Sequence, residues 1–231
     1  MKPLKVLISS GLVPYESGLE TQLEILRRKK SGEEEADVLW LLSHEPVITF
    51  GASRDSQSNL IKDPGIPKVK VSRGGDITYH DPGQVTGYLL FSLGEEERNL
   101  HLFLNKIEKS LLSTLSEAGI TGHREDGKTG VFLDQKKICS IGIACRHWIT
   151  YHGFSLNFKS DMSVYGAMNP CGLESTLMAN LSELRQEYSR QEFLQSYPEY
   201  CASIFSRKIE EVVFQSYEDL RASLFGNQVC E

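Results

Sequence analysis

The sequence has no excess of positive charge and no long apolar run. Its 231 residues include 25 Lys and Arg against 31 Asp and Glu, which gives a formal net charge of −6. Broad binding to nucleic acid requires a basic surface that displaces counterions, so this balance argues against it. A helix that crosses a bilayer needs about 20 consecutive apolar residues, and the sequence contains no such run. We therefore expect a globular protein that binds neither nucleic acid nor a membrane.

Cysteine is also scarce, and its spacing argues against a cross-linked or zinc-binding fold. The five cysteines are an odd number, and no two of them are spaced as in a zinc site. The apolar stretch at residues 4–8 is too short for a secretory signal peptide. These observations indicate reduced thiols, no metal, and a cytoplasmic enzyme or binding protein.

Hydrophobic periodicity predicts one α+β domain that spans residues 1–231. The clearest helix is predicted at residues 98–118, with one apolar stripe formed by Leu104, Ile107, Leu111 and Leu115. A second helix is predicted at residues 15–30, and residues 174–231 are predicted to be mostly helical. Short apolar runs predict strands at 4–9, 38–42, 47–50, 68–72, 84–91, 131–133, 137–144 and 148–158. The predicted fold class is a mixed, mostly antiparallel sheet with flanking helices.

Residues 122–129 match the phosphate-loop pattern GxxxxGK[ST] letter for letter. That motif requires a strand before it and a helix that begins at its Lys-Thr end. Here a predicted helix precedes the segment and a predicted strand follows it. Glu125 and Asp126 also place carboxylates where backbone amides would hold phosphate. We therefore interpret the segment as a solvated loop between helix and strand and not as a nucleotide site.

The most informative segment is the run Arg73-Gly74-Gly75-Asp76-Ile77-Thr78-Tyr79-His80-Asp81-Pro82-Gly83-Gln84. It combines a cation, glycines, hydroxyl groups and an imidazole directly before a predicted strand. Glycine has no Cβ and lets the backbone approach a ligand closely, and polar groups on such a loop usually serve a site. Taken alone, the run suits phosphate, adenylate or acyl chemistry.

Cys171 is the cysteine whose setting favours reactivity. It lies in the block Asn169-Pro170-Cys171-Gly172, where proline and glycine fix the backbone and leave the thiol open. A free thiol has a pKa near ~8.5 and is mostly protonated at neutral pH, so a nucleophilic cysteine needs a nearby cation or base. No neighbour in sequence supplies one. From the residues alone, an unreactive loop cysteine is therefore an equal alternative.

Lys137 is a candidate for that cation. A lysine at a solvated hairpin end is the usual interpretation of Lys136-Lys137. In the alternative, Lys137 points inward and lowers the pKa of a thiol. Side chains alternate along a strand, so Lys136 and Lys137 face opposite sides and only one of them can do this. For the six histidines, including His80 and His152, a structural role is the default interpretation, since no spacing supports a metal site.

Four blocks of this sequence, in this order, resemble the octanoyltransferases of lipoate biosynthesis. The blocks are residues 73–84, 137–142, 152–157 and 169–172. Lys137 and Cys171 are 171 − 137 = 34 positions apart, which matches the separation of that family's catalytic pair. The resemblance covers roughly residues 44–175 and implies the fold of the biotin- and lipoate-protein ligase catalytic domains.

The resemblance also implies a reaction, partners and a site. Cys171 attacks the thioester of octanoyl-acyl carrier protein, and the target lysine of a lipoyl domain converts the resulting octanoyl-thioester enzyme to an amide. Lys137 holds Cys171 as a thiolate and then manages the proton of the amine. The implied acceptors are lipoyl domains of 2-oxoacid dehydrogenase E2 subunits and the glycine cleavage H protein, and no ATP or other cofactor is needed. The residues implied to line the acyl tunnel and oxyanion environment are Arg73, Gly74, Gly75, Asp76, Ile77, Thr78, Tyr79, His80, Ser140, Ile141, Gly142, Gly153, Phe154 and Ser155.

Two other functions stay open. An ATP-dependent lipoate-protein ligase of the same fold makes an adenylate and needs no nucleophilic cysteine, so Cys171 argues against it, as does the lack of a clear accessory domain. A non-catalytic protein that binds acyl chains or lipoyl domains needs neither Lys137 nor Cys171. The sequence departs from the family pattern at His44-Glu45-Pro46 and at Gln135, which replaces the usual turn glycine. Neither departure touches the implied chemistry.

Overall fold

The computed structural model describes residues 1–53, 56–169 and 177–226. Its strands are β1 (Lys2–Val13), β2 (Asp37–His44), β3 (Val47–Phe50), β4 (Lys68–Lys70), β5 (Ile77–His80), β6 (Gln84–Leu90), β7 (His123–Glu125), β8 (Lys128–Leu133), β9 (Lys136–Arg146), β10 (Ile149–Asn157) and β11 (Arg207–Ser216). Its α-helices are α1 (Tyr15–Ser31), α2 (Leu100–Glu117), α3 (Leu181–Leu184), α4 (Arg190–Phe205) and α5 (Tyr217–Phe225). Two short 3-10 helices lie at Glu95–Glu97 and Val164–Ala167.

Eight strands form one large sheet in the order β11-β1-β2-β6-β10-β9-β8-β7. β1 pairs in parallel with both β11 and β2, and the other neighbouring strands of this sheet pair antiparallel. Helices pack on both faces. The prediction of a mixed, mostly antiparallel sheet with flanking helices is confirmed.

Two buried clusters cover the two faces of the large sheet. On the α2 face, α2 and α4 pack over the strands, and the cluster includes Leu39, Phe91, Ile107, Phe193 and Tyr197. On the α1 face, α1 and α5 pack over the strands, and the cluster includes Leu7, Ile25, Trp40, Tyr88 and Leu220. The apolar stripe predicted for the main helix is thus confirmed, because it is the side of α2 that meets the sheet. Among the described residues, no helix has the length and apolar character to cross a bilayer.

A strand runs through the glycine-rich segment 73–84, which the sequence predicted to be a loop. This strand, β5, pairs antiparallel with β3, and β4 pairs with the other side of β3, so the three form a small second sheet. The reason is the alternation of Ile77 and Tyr79, which both enter a third buried cluster with Ile48 and Phe50. The many polar residues of the segment obscure this alternation when the segment is judged by its composition.

The prediction of a mostly helical tail is wrong for residues 207–216. This segment is β11, which pairs in parallel with β1 at one edge of the large sheet. Its apolar residues do not mark one buried face: Ile209 packs against the α2 cluster and Val213 against the α1 cluster, whereas Val212 is 47% exposed and Phe214 is 70% exposed. An edge strand of this kind lacks the hydrophobic period from which strands are recognised.

The segment that matches the phosphate-loop pattern forms a β-hairpin. β7 and β8 pair antiparallel on either side of Asp126 and Gly127, and Gly127 has a left-handed φ of 74°. The prediction of a loop is therefore wrong, since the segment is paired, whereas its predicted exposure to solvent is confirmed for most of its residues. A hairpin offers no helix N-terminus to a phosphate, so the geometry agrees with the rejection of a nucleotide site.

Candidate active site

A cavity that opens to solvent lies on the α1 face of the large sheet, and the empty space between its walls and at its mouth is about 450 Å³. It is bounded by the start of α1, the glycine-rich segment, β5, β6, β9 and β10. The lining residues are Tyr15, Arg73, Gly75, Asp76, Thr78, His80, Thr86, Tyr88, Lys137, Ser140, Ile141, Gly142, His152, Gly153, Phe154 and Ser155. The fold thus brings three of the four sequence blocks to one place.

Three residues implied by the resemblance do not line this cavity. Ile77 and Tyr79 point into the third cluster, because β5 alternates and gives only Thr78 and His80 to the cavity. Gly74 instead donates its amide hydrogen bond to the carbonyl oxygen of Ile143, at 2.8 Å. The other implied tunnel residues all lie at the cavity.

The floor of the cavity is built from two rows of residues that cross β6, β10 and β9. The first row is Thr86, Ser155 and Ser140, and the second is Tyr88, Gly153 and Gly142. Residues paired across strands project from the same face of a sheet. Small side chains at the centre of both rows therefore leave a depression where a ligand can lie on the backbone.

Gly142 also lets the glycine-rich segment lie directly on the sheet. A Cβ atom at Gly142 would be 2.6 Å from the carbonyl oxygen of Gly74. A Cβ atom at Gly153 would meet the backbone oxygen of Gly87 even more closely. Any side chain at either position would therefore push two backbone segments apart.

A β-bulge in β9 directs Lys137 into the cavity. Cys139 pairs with Val131 and Lys137 pairs with Phe132, so Ile138 is an extra residue on β9. Val131 and Phe132 are adjacent and face opposite sides of the sheet. Cys139 consequently faces the α2 cluster with Val131, whereas Lys137 faces the cavity. In a regular strand without the bulge, Lys137 and Cys139 would lie on the same face, because they are two positions apart.

The ammonium of Lys137 is buried beside an aromatic ring. The residue is 3% exposed, and its Nζ lies 5.8 Å from the centroid of the Phe132 ring. A Cβ atom at Gly130 would lie 2.7 Å from Lys137 Cε, so glycine at that position makes room for the lysine. The inward orientation was one of two interpretations of the sequence, and it is the one observed.

Cys171 lies outside the described residues, as does Gly172. The described residues on either side of that segment pack together, because Met168 and Met178 both belong to the third cluster. Met178 also pairs with Lys137, and the amide of Ala179 donates to the carbonyl oxygen of Lys137 at 3.1 Å. The chain that follows the Asn-Pro-Cys-Gly block therefore returns to Lys137.

Burial makes the described cysteines poor nucleophiles. It raises the pKa of the Cys139 thiol far above its usual range, and the nearby Lys137 ammonium opposes this only in part. Burial also raises the pKa of Cys201 to about 12 and that of Cys145 above its usual value. The thiolate is the reactive form of cysteine, so none of these three is a candidate nucleophile.

Three imidazoles and two phenols form a buried cluster at one end of the cavity. The ring centroids of Tyr15 and His44 are 5.0 Å apart, those of His44 and His80 are 5.6 Å apart, and those of Tyr88 and His152 are 6.2 Å apart. His44 Nδ1 lies 2.7 Å from the carbonyl oxygen of Val13, and its Nε2 lies 2.6 Å from the Tyr88 hydroxyl oxygen. A carbonyl only accepts, so Nδ1 carries the proton and Nε2 accepts from Tyr88.

Burial keeps these imidazoles neutral. It lowers the pKa of His44 to about 4 and that of His152 to about 3. The pKa of His80 is lowered well below its usual value, chiefly by burial and further by His44 and by the Arg73 guanidinium. At neutral pH this end of the cavity therefore offers uncharged hydrogen-bonding groups beside a buried guanidinium.

Three polar side chains of the cavity have buried atoms without a hydrogen-bond partner among the described residues. They are Thr86, through its Oγ1, and His80 and His152, each through both ring nitrogens. His152 has a left-handed φ of 60°, and its ring contacts Tyr88 and Tyr151 of the α1 cluster although its strand partner Ile143 belongs to the α2 cluster. Unsatisfied buried groups and left-handed non-glycine residues both cost free energy. Their position at the cavity indicates that a ligand completes them.

Arg73 fixes the glycine-rich segment to the small sheet. Its Nη2 donates to the carbonyl oxygen of Thr49 at 3.1 Å and to the Thr49 hydroxyl at 2.8 Å. Its Nη1 donates to the carbonyl oxygen of Gly74 at 3.2 Å. The guanidinium thus organises the turn and also lies at the wall of the cavity.

Tyr15, Thr86 and Tyr88 are cavity residues that the sequence did not predict, and His152 lines the cavity although a structural role was predicted for it. Thr86 and Tyr88 are polar residues two positions apart in an apolar strand, and that alternation was a signal for a polar cavity on one face. Tyr15 is the first residue of α1 and carries no comparable signal. The position of His152 depends on its backbone angle, which a sequence pattern does not give.

Comparison with known proteins identifies related sequences. The family model described as "Lipoyl protein ligase A/B catalytic domain" matches residues 14–202. An octanoyltransferase of Caldanaerobacter subterraneus subsp. tengcongensis is 36% identical over 207 residues, which cover 87% of this chain and 90% of that protein. An octanoyltransferase of Thermoanaerobacter sp. is 40% identical over 179 residues, which cover 75% of this chain and 78% of that protein.

Solved structures show the same fold. A putative lipoate protein ligase from T. acidophilum with bound lipoic acid has a TM-score of 0.74 at 15% identity and covers 97% of this chain and 94% of that chain. A lipoate-protein ligase A bound with ATP has a TM-score of 0.75 at 14% identity and covers 98% of this chain and 95% of that chain. At these identities the likeness concerns the fold alone, and it confirms the expected ligase-type catalytic-domain fold.

Proposed function

The chain belongs to the lipoyl protein ligase A/B catalytic-domain family and to its octanoyltransferases, and we propose that it transfers an octanoyl group through an acyl-thioester on Cys171. The enzyme is an acyltransferase of lipoate biosynthesis. In this proposal the donor is octanoyl-acyl carrier protein. The acceptor is a lysine of a lipoyl domain, as in 2-oxoacid dehydrogenase E2 subunits and the glycine cleavage H protein. Residues 1–231 act as one domain in the cytoplasm.

The reaction consists of two acyl transfers. In the first, the Cys171 thiolate attacks the carbonyl carbon of the donor thioester, and the bond from that carbon to the carrier sulfur breaks. The Lys137 ammonium gives its proton to the departing carrier thiolate. In the second, the acceptor amine attacks the enzyme thioester and forms an amide. The amine proton returns to Lys137, and Cys171 leaves as a thiolate, so the enzyme is restored.

The observation that carries this proposal is the orientation of Lys137. Lysine is rarely buried unless it is paired or serves a site, and here a bulge turns it from the core to the cavity. The segment that contains Cys171 is followed by Met178 and Ala179, which pair with Lys137. A cation held at this point supports a thiolate on Cys171, because opposite charge stabilises the ionised form.

The cavity lining suits an acyl thioester. Tyr15 and Tyr88 line it with aromatic rings, while Thr86 and His152 offer donors without partners among the described residues. A carbonyl oxygen that gains negative charge during attack needs such donors. We assign Thr86 and His152 to the carbonyl end of the bound acyl group.

This chemistry needs no nucleotide. A thioester donor is already activated, and the step from thioester to amide runs downhill, so the adenylate of a lipoate-protein ligase has no role. The hairpin at residues 122–129 also lacks the helix that a phosphate loop requires.

Mass spectrometry tests the proposal. Incubation of the protein with octanoyl-acyl carrier protein, without acceptor and without ATP, is expected to give one octanoyl adduct on Cys171 that hydroxylamine removes. Cys171→Ser is expected to lose the hydroxylamine-sensitive adduct. Cys145→Ser, a change at a described cysteine away from the cavity lining, is the matched control and is expected to keep it. An adduct that survives in Cys171→Ser, or transfer that requires ATP, contradicts the proposal.

A further inference from the structure

A second depression runs along the outer side of α2, and we call it the α2 groove. It has an empty volume of about 1020 Å³ and is lined by Leu102, Asn105, Lys106, Lys109, Leu112, Ser113, Ser116, Ile120, Thr121, Gly122 and Arg124. The helix residues recur at intervals of three and four, so they form one continuous stripe. From residue 102 to residue 116 this stripe is about 21 Å long at 1.5 Å per residue. It can accommodate several turns of a helix laid alongside α2.

The α2 groove concentrates positive charge on a chain whose net charge is −6. Lys106, Lys109 and Arg124 line it, and no carboxylate does. Neither lysine forms an ion pair within the described part of the chain. Leu102 is 56% exposed at the same surface. Exposed aliphatic groups among unpaired cations are complementary to an amphipathic helix with an acidic face.

The α2 groove is connected to Lys137 through the sheet. Arg124 Nη1 lies 3.7 Å from Glu108 Oε2, and Glu108 Oε1 accepts a hydrogen bond from the amide of Gly130 at 3.0 Å. A Cβ atom at Gly130 would lie 3.3 Å from Lys137 Nζ. The groove therefore lies at the Lys137 end of the cavity but on the other face of the sheet.

We propose that the α2 groove is the docking surface for the acidic carrier protein that delivers the octanoyl thioester. This inference rests on the proposed octanoyl transfer. A carrier-bound thioester sits at the end of a long flexible arm, so its protein can dock behind the sheet while the thioester reaches the cavity. An acceptor lysine extends only one side chain from its own backbone, so its domain must dock at the cavity mouth. The position of the groove thus selects the donor.

A smaller depression on the α1 face provides a matched comparison, and we call it the α1 groove. It also combines aliphatic and cationic residues, namely Leu23, Leu26, Arg27, Lys30, Arg146, His147 and Ile149. As in the α2 groove, one arginine is paired, since Arg27 lies 2.8 Å from Glu24 and 2.9 Å from Glu33. The difference is position, because Arg146 lies at the other end of β9 from Lys137, about 30 Å away at ~3.3 Å per residue. We therefore do not expect a carrier protein docked at the α1 groove to deliver its thioester to Lys137.

Charge reversal tests the proposal. For each variant, kcat/KM is measured with octanoyl-acyl carrier protein and with octanoyl-pantetheine, which has no carrier protein. In Lys106→Glu/Lys109→Glu the ratio of the two values is expected to fall roughly tenfold or more and to lose its dependence on salt. In Lys30→Glu/Arg146→Glu, the α1 groove control, the ratio is expected to stay within about twofold of wild type. Because Lys106 Nζ lies 5.6 Å from the centroid of the Phe205 ring, Asn105→Glu/Lys109→Glu is the second variant if the first does not fold.

Three results overturn the proposal. The first is a ratio that does not change in either α2 groove variant. The second is a fall confined to the α1 groove variant. The third is a rise in KM for the lipoyl domain with octanoyl-pantetheine as donor, which assigns the groove to the acceptor. If neither thioester acylates the protein, the proposed function fails instead. A direct binding titration of the carrier protein with wild type and variants, at low and high salt, then still decides the docking site.

Discussion

The aromatic stack on the α2 face of the large sheet and the cavity on its α1 face differ in how their buried side chains are partnered. On the α2 face, Phe193 stacks on Tyr197 with ring centroids 5.0 Å apart and meets Phe158 at 5.6 Å. On the α1 face, Thr86 and His152 are as deeply buried, yet neither finds a hydrogen-bond partner for its polar side-chain atoms among the described residues. One face contributes stability through packing, whereas the other keeps unsatisfied groups available for a ligand.

Residues two positions apart can serve the two faces separately. Lys137 and Cys139 are two positions apart in the same strand, but because of the bulge at Ile138 the first faces the cavity and the second faces the α2 core. His152 is directed to the α1 face by its left-handed backbone. Two departures from regular alternation thus form the site. The free energy that they cost is offset by the close packing of the α2 face.

The largest difference in activity between variants on the two faces is expected at Lys137 and Cys139. Lys137→Ala removes the proposed proton donor and the cation beside Cys171, and we expect kcat to fall roughly 10³-fold. We also expect alkylation of Cys171 at neutral pH to slow and its pH profile to move upward. Cys139→Ala is the control on the α2 face, with activity within about twofold of wild type and a stability loss of about 1 kcal/mol. Equal activity of the two variants would contradict the assignment.

The packed face is expected to dominate stability. Phe193→Ala removes a fully buried ring that contacts Phe158 and Tyr197, and we expect the free energy of unfolding to fall by about 3–5 kcal/mol. Phe214→Ala is the matched control, because Phe214 is 70% exposed, and it should change stability by less than about 0.5 kcal/mol. Urea unfolding of wild type and the two variants measures these changes in the free energy of unfolding. Similar losses in both variants would show that α4 does not anchor the core.

The imidazoles of the α1 face are expected to make stability depend on pH. Burial lowers the folded-state pKa of His44 to about 4 and that of His152 to about 3, while the unfolded value is near ~6.5. Unfolding therefore takes up protons below pH ~6.5, and stability is lost as the pH falls toward those folded values. Each histidine contributes a slope of up to about 1.4 kcal/mol per pH unit.

Unfolding free energies at pH 6.5 and pH 5 measure this slope. In His44→Gln, unfolding is expected to take up about one proton fewer, so the slope becomes smaller. His101→Gln, a change at an exposed residue, is expected to leave the slope unaltered. A wild-type protein that is equally stable at both pH values would show that the cluster is charged or open to water.

The smallest expected change in stability is at Thr86, and its sign distinguishes a cavity residue from a core residue. Thr86→Val removes a buried hydroxyl without a partner among the described residues, and we expect it to stabilise the fold by roughly 1 kcal/mol while lowering octanoyl transfer. Thr114→Val is the control on the α2 side and should change the free energy of unfolding in the opposite direction, because Thr114 Oγ1 donates to the carbonyl oxygen of Ser110 at 2.8 Å. Its loss should destabilise by roughly 1 kcal/mol and spare activity. A stabilised and fully active Thr86→Val would remove Thr86 from the site.

The sequence predicted the features that depend on local periodicity or on a contiguous motif. The buried stripe of α2 follows from leucine and isoleucine at helical spacing, and Ser140, Gly142, Gly153 and Ser155 came with the blocks that resemble a known family. β11 was missed because its outer residues are exposed, as Phe214 shows. The bulge at Ile138 depends on the register of the partner strand, which is not encoded in the bulged strand alone. The role of Cys171 stays a prediction, since it lies outside the described residues.

The bulge at Ile138 also determines which kinds of genetic change the site can tolerate. A substitution in β9 alters one side chain and leaves every other residue on its own face. Insertion of a single residue in β8 between Val131 and Phe132 would give Ile138 a partner, restore regular alternation from Lys137 to Cys139 and move an ammonium group into the α2 core, while every existing residue remained the same. For this hairpin, a change in length is therefore more severe than a change in chemistry, and a graft of the site onto another sheet must carry both β8 and β9 in their present register.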